Sequence, residues 1–213
     1  MRRAVCFVAL AAVLCLPAAA VSGTSTSGTS AWLKLAVKQL PLLQVKPAAP
    51  MTGYSRARFG PAWDDVDRNG CDTRDDMLQR DLKPFTFKLG DDCQVIKGTL
   101  HDPYTGKTIR FIRGLKTSLA VQIDHVVALA AAWRTGAAKW KANRRLVYAN
   151  DPEVLLAVDG PSNNKKSDGD ASGWLPPKFT CRYVAQQIAI KTKYTLWVTP
   201  AEHDAMAKVL SSC

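Results

Sequence analysis

Four cysteines, Cys71, Cys93, Cys181 and Cys213, run from the middle of the chain to its last residue, and they limit its possible folds more than any other feature. Two further cysteines, Cys6 and Cys15, fall in a segment that reads as a secretory signal over residues 1 to 20. Met1, Arg2 and Arg3 supply the positive start, Ala4 to Leu16 an apolar stretch too short to span a bilayer, and Ala18, Ala19 and Ala20 a small-residue cleavage site. The bulk of Leu14 argues against lipid attachment at Cys15. Residues 21 to 213 hold no other long apolar run, so the expectation is a secreted chain with no membrane insertion after cleavage. Export exposes the four remaining cysteines to an oxidising compartment, where an even number pairs. Three pairings are possible. The local one, Cys71 with Cys93 and Cys181 with Cys213, closes two modest loops, each bridge adding about 2–4 kcal/mol by restricting the unfolded chain. Zinc is the rival use of these thiols, but the chain has no C-x-x-C pair and only three histidines.

Between Val21 and Pro61 the sequence is rich in Ser, Thr, Gly, Pro and Ala, lacks any acid, and carries Lys34, Lys38, Lys46, Arg56 and Arg58. It reads as a flexible basic linker, with "AWLKLAVKQL" at 31 to 40 as a short amphipathic helix. The folded unit is then residues 62 to 213, a normal size for one core. From Asp64 onward there are 22 Lys or Arg against 18 Asp or Glu, so much of the overall +11 charge sits in the signal and linker. Overall basicity is therefore a weak pointer to nucleic acid.

A local asymmetry is a stronger one. Between Asp102 and Asp151 stand nine basic residues (Lys107, Arg110, Arg113, Lys116, Arg134, Lys139, Lys141, Arg144 and Arg145) and one acid, Asp124. Asp124 and His125 interrupt the apolar run "VQIDHVVALAAAW", although a carboxylate and an imidazole are costly to bury. A lone carboxylate in a field that attracts polyanions calls for a cation upon it, which points to a metal-dependent enzyme acting on phosphate esters. The plain alternative is an Asp paired with a neighbouring Arg, beside a satisfied core histidine.

A coarse reading places these residues. A helix is expected near 72 to 82, a hairpin from 93–100 and 108–114 around "HDPYTG", and a third strand over 118–124. An Ala-rich helical stretch interrupted at Gly136 follows, so Asp124 and His125 stand at a strand-to-helix junction. "VLLAV" reads as a further strand, ended by "DGPSNN". Asn163 or Asn164 could then give an amide oxygen to a hard metal, and Lys165 and Lys166 could meet phosphates; a solvated turn with capping asparagines is the simpler reading. Trp133, Trp140 and Trp174 suit a core better than base stacking, and His101 and His203 have no motif around them.

"QIDHVVALAAAW", "ANDPEVLLAV" and "SNNKKSDGDASGWLPP", in that order, resemble the HNH or ββα-metal endonucleases. The chain is similar in particular to the secreted bacterial branch, whose domain is like the C-terminal nuclease domain of GmrSD-type restriction enzymes. "CDTRDDMLQRDL", "DPYTG", "WRTGAAKW" and the closing Cys extend the likeness across residues 68 to 213. It implies an α+β fold: an HNH-like ββα-metal core with additional helices and a small antiparallel sheet, stapled by two disulfides. It also implies His125 as general base and Asp124 as metal ligand. The family's N-x-x-K-[GS]-D pattern selects Asn163 over Asn164 as the second ligand, and Asn150 matches a position that organises the loop between the two strands. No histidine follows Asn163 until His203, and Ala128 stands where the family commonly has Pro.

The chemistry so implied is hydrolysis of phosphodiesters in DNA, with RNA as a second substrate. His125 takes the proton of water, and a divalent ion on Asp124 and Asn163 offsets phosphoryl charge. Oxygen ligands suit Mg²⁺, then Mn²⁺, better than Zn²⁺. Lys165, Lys166, Arg144 and Arg145 are the candidates for backbone phosphates. The alternative is a nucleic-acid-binding module that keeps the HNH scaffold without cutting.

Overall fold

The computed structural model describes residues 27 to 213, with side chains from residue 31 on; the expected signal over residues 1 to 20 lies outside them. The chain folds as α1 (Ser27–Gln39), α2 (Thr73–Asp81), β1 (Leu82–Phe87), β2 (Val95–His101), β3 (Thr108–Ile112), β4 (Val121–His125), α3 (Leu129–Arg134), α4 (Ala142–Ala149), β5 (Leu155–Asp159), α5 (Gly160–Lys166), α6 (Thr180–Tyr194) and α7 (Pro200–Ser211). β1, β2 and β3 form an antiparallel meander, and β4 and β5 a separate antiparallel pair. The result is an α+β domain with a small antiparallel sheet, extra helices and two disulfides, as the HNH-like expectation has it.

Local chemistry explains the element ends. Asp72 caps α2 by accepting from the Asp75 backbone at 2.8 Å, and Asp75 and Asp76 in its first turn complement the helix dipole. The loop ahead of it folds around Asn69, whose amide donates to Asp67 and Asp76 while Asp65 accepts from the Asn69 and Gly70 backbones. That loop delivers Cys71 to Cys93, and Cys181 at the start of α6 bonds to Cys213. α7 starts on a capping box between Thr199 and Glu202, with Pro200 in the first turn.

Two apolar clusters flank the β4–β5 pair. One joins α2 and the meander to Val121, Ile123, Leu155 and Ala157; the other gathers α1, α3, α4, α6 and α7 around Trp133, Tyr148, Val184 and Ile188. Trp133 is core, and Trp140 and Trp174 pack against it partly buried.

Residues 31 to 61, expected as a flexible linker, are built into this domain. Ala36 on α1 and Leu40 in the 3-10 turn just after it belong to the larger cluster, and Trp32 packs against it. Residues 44 to 49 are stitched to the loop between α6 and α7 and to α3: Val198 N to Gln44 O at 3.0 Å, Lys46 N to Val198 O at 3.0 Å, and Ala49 N to Arg134 O at 2.8 Å. Phe59 is 1 % exposed. Composition pointed to a linker, whereas a few well-spaced apolar side chains anchor the segment. The third strand is shorter than expected because residues 117 to 120 form a 3-10 turn, and the Ala-rich stretch is split at Gly136, whose φ of 140° a side-chain-bearing residue rarely adopts. No helix among the described residues is long and apolar enough to cross a membrane.

Candidate active site

The β4–β5 pair runs straight into α5, giving a ββα unit. Asp159 ends β5 and caps α5 through Ser162 N at 2.9 Å. A Cβ on Gly160 would stand 2.0 Å from Leu119 O, so only glycine lets α5 begin this close to the turn at 117 to 120. These constraints fix where Asn163 and Lys166 emerge.

Successive residues of a strand face opposite sides, and this separates the Asp-His pair. Gln122 and Asp124 face α5. Asn163 Nδ2 donates to Gln122 Oε1 at 2.9 Å, and Gln122 Nε2 donates to Asn164 Oδ1 at 3.3 Å. Asp124, 5 % exposed, takes Lys166 Nζ on Oδ1 at 2.9 Å and Tyr104 OH on Oδ2 at 2.5 Å. The Lys166 ammonium also donates to His125 O at 2.9 Å, and its side chain is fully buried. Burial pushes the Asp124 carboxyl up, and the Lys166 charge and the Tyr104 hydroxyl oppose that rise. The lone acid of the basic field therefore has its own cation, from beyond the nine basic residues.

His125 turns the other way. Its Nε2 lies 2.9 Å from Ala149 O, and a carbonyl can only accept, so Nε2 carries the proton and Nδ1 of the neutral ring is left with its lone pair. The Trp63 ring stacks on the imidazole with centroids 6.4 Å apart. Both line a cavity of about 260 Å³, together with Arg56, Phe59, Leu129 and Asn150. Asn150 spends Nδ2 on Leu146 O at 3.0 Å, and its buried Oδ1 has no partner among the described residues. A larger groove of about 1410 Å³ between α1, α6 and β5 includes Tyr104 and Arg182 but neither Asp124, His125 nor Asn163.

Burial pushes the His125 imidazole down from its ordinary 6.5 to about 4; the bond to Ala149 O resists this, and the charges of Arg56 and Lys166 add to it. Above pH 6.5 the ring is neutral both folded and unfolded. Between 6.5 and about 4 only the unfolded chain takes the proton, so stability falls as the solution is acidified through that window, by roughly 3 kcal/mol in total. Denaturant titrations in EDTA at pH 7.5 and 4.5 should show this loss in the wild type and a smaller one in His125→Asn. Equal losses in the two proteins would contradict it.

The expected phosphate contacts fare differently. Lys165 is exposed, but Lys166 is enclosed. Arg144 lies over the Trp140 ring at 4.6 Å and donates to Tyr194 O at 2.7 Å. Arg145 is 8 % exposed and clamps the backbone, donating to Arg58 O at 2.8 Å and to Trp140 O. Lys166 and Arg145 are thus internal ties in this arrangement. Sequence reasoning missed Tyr104, which sits inside the "DPYTG" turn, and the cavity wall supplied by Arg56 to Trp63; only the aromatic residues in these stretches signalled anything beyond a turn or linker.

A divalent ion at Asp124 would meet an ammonium already on Oδ1 and a hydroxyl on Oδ2. In this arrangement the residues do not fit a cation at Asp124 unless Lys166 withdraws.

The α+β domain thus holds a ββα unit and, at the end of its first strand, a histidine that lines a cavity. The family of GmrSD restriction endonucleases, C-terminal domain, matches residues 72 to 209, and the chain belongs to that family. It is also similar to an "uncharacterized secreted protein" of Arthroderma benhamiae, 36% identical over 176 residues that cover 80% of this chain and 81% of the relative. No solved structure matches significantly.

Proposed function

We propose that the protein is a secreted nuclease that hydrolyses phosphodiester bonds in DNA, with RNA as a second substrate, and that His125 is its general base. The observation that supports this reading best is the Nε2–H bond to Ala149 O, which leaves Nδ1 as an acceptor on a residue that lines a cavity large enough for several waters. Desolvation makes that nitrogen a weak base at rest. A phosphate entering the cavity brings negative charge, which favours the imidazolium and raises the ring's affinity for the proton of an attacking water. Asn150, between the end of α4 and the cavity, holds the loop that carries the Ala149 carbonyl and so orients His125. Lys165 is retained as a phosphate contact.

Mg²⁺, before Mn²⁺ and Zn²⁺, is the cofactor the family resemblance suggests, with Asp124 and Asn163 as ligand candidates. Because Lys166 holds Asp124, no step is assigned to the ion. Export rests on the residues 1 to 20 pattern and on the description of the Arthroderma benhamiae relative. A second reading, a nucleic-acid-binding module without turnover, is favoured by one observation: His125 is only 7 % exposed.

The test is plasmid nicking, and in parallel cleavage of a labelled RNA, by the oxidised chain from residue 21 on, in EDTA and with Mg²⁺, Mn²⁺ or Zn²⁺. Nicking that appears with a metal and vanishes in EDTA is the expected result and would require Lys166 to move. Nicking that survives EDTA keeps the nuclease and discards the metal. Folded protein that binds DNA but never cuts it leaves the binding module.

A further inference from the structure

The family match starts at residue 72, yet one wall of the His125 cavity comes from residues 56 to 63, ahead of it. This wall is anchored. Phe59 is buried within 6.3 Å of the Trp133 ring and 6.2 Å of the Tyr148 ring, and Arg145 holds the Arg58 carbonyl. Leu146 packs under Gly60, whose φ of 87° turns the chain towards Trp63. On this fixed backbone the exposed Arg56 lines the cavity that His125 and Asn150 also line, and its guanidinium makes no hydrogen bond or ion pair among the described residues.

Three of the basic residues nearer in sequence to the motif are otherwise engaged: Lys166 on Asp124, Arg144 on Trp140 and Tyr194 O, and Arg145 on the Arg58 and Trp140 carbonyls. A guanidinium without an acceptor among the described residues, on the same cavity as a candidate base, can take two oxygens of one phosphate, which a lysine can do only as a point charge.

We propose that Arg56 binds the phosphate of the nucleic-acid backbone at the His125 cavity, so that the segment ahead of the family domain completes the site. This rests on the nuclease reading for its substrate class and extends it to a residue outside the family domain.

The test measures binding of a short fluorescent DNA duplex by anisotropy against KCl concentration, in EDTA, for the wild type, Arg56→Gln, Arg56→Lys and Arg110→Gln. Arg110 lies exposed on β3 and serves as a distant-charge control. One lost phosphate contact lowers the slope of log affinity against log salt by about 0.9. Arg56→Gln should show that drop with a several-fold weaker affinity at low salt, Arg56→Lys should regain the slope but only part of the affinity, and Arg110→Gln should keep the wild-type slope. A wild-type slope in Arg56→Gln overturns the proposal, as does an equal drop in Arg110→Gln, or a wild type that binds no DNA. Nicking assayed on the same proteins separates the two ideas: a slope change at Arg56 without any wild-type cleavage sinks the nuclease and spares the phosphate contact.

Discussion

Lys166→Met should cost the fold about 3–5 kcal/mol, because it strips the cation from a carboxylate that is almost wholly buried. Asp124 is 5 % exposed and would keep only the Tyr104 hydroxyl, while the His125 carbonyl would lose its donor. For a domain of this length each kcal/mol is worth about 2–4 °C, so the melting temperature should drop by roughly 10 °C. The double variant Lys166→Met, Asp124→Asn should regain most of that loss, since a neutral amide beside Tyr104 needs no counter-charge. Thermal melts of the three proteins in EDTA decide the matter. A single variant that melts with the wild type would mean that the pair is not a buried ion pair at all, and Asp124 would be open to a metal without rearrangement.

The same pair shows what the sequence could and could not reveal. The family blocks made the ββα order legible: β4 ends at His125, β5 is "LLAVD", and Asn163 and Lys166 lie on the helix that follows. The cysteine pairing was legible because the local choice needs only short loops. The partner of Asp124 was not. The nine basic residues around it in sequence suggested a polyanion and a metal, yet its neutralising charge lies 42 residues on, placed there by the β4–β5 pairing and the tight start at Gly160. Nor does spacing say that adjacent residues on a strand look into different environments until the elements on each side are known. Residues 31 to 61 failed for another reason: the segment lacks acids and is broken by Pro and Gly, which reads as a linker, while Trp32, Ala36, Leu40 and Phe59 anchor it in the core.

If His125 is the base, removing the imbalance between its two nitrogens removes catalysis and little else. His125→Ala deletes the only imidazole on the cavity and leaves Arg56, Asn150 and the Asp124–Lys166 pair in place. General-base loss costs about 10²–10⁴ in rate. DNA affinity should stay within about twofold, because the ring is neutral near pH 7 and contributes no phosphate charge.

The most direct measurement is therefore the initial rate of plasmid nicking by wild type and His125→Ala side by side, at equal DNA occupancy established by anisotropy and with circular dichroism showing both folded. A rate lowered at least 100-fold at unchanged affinity is the result predicted by a general base. A variant that nicks at the wild-type rate would contradict the role given to His125, and with it the reading of this cavity as the active site.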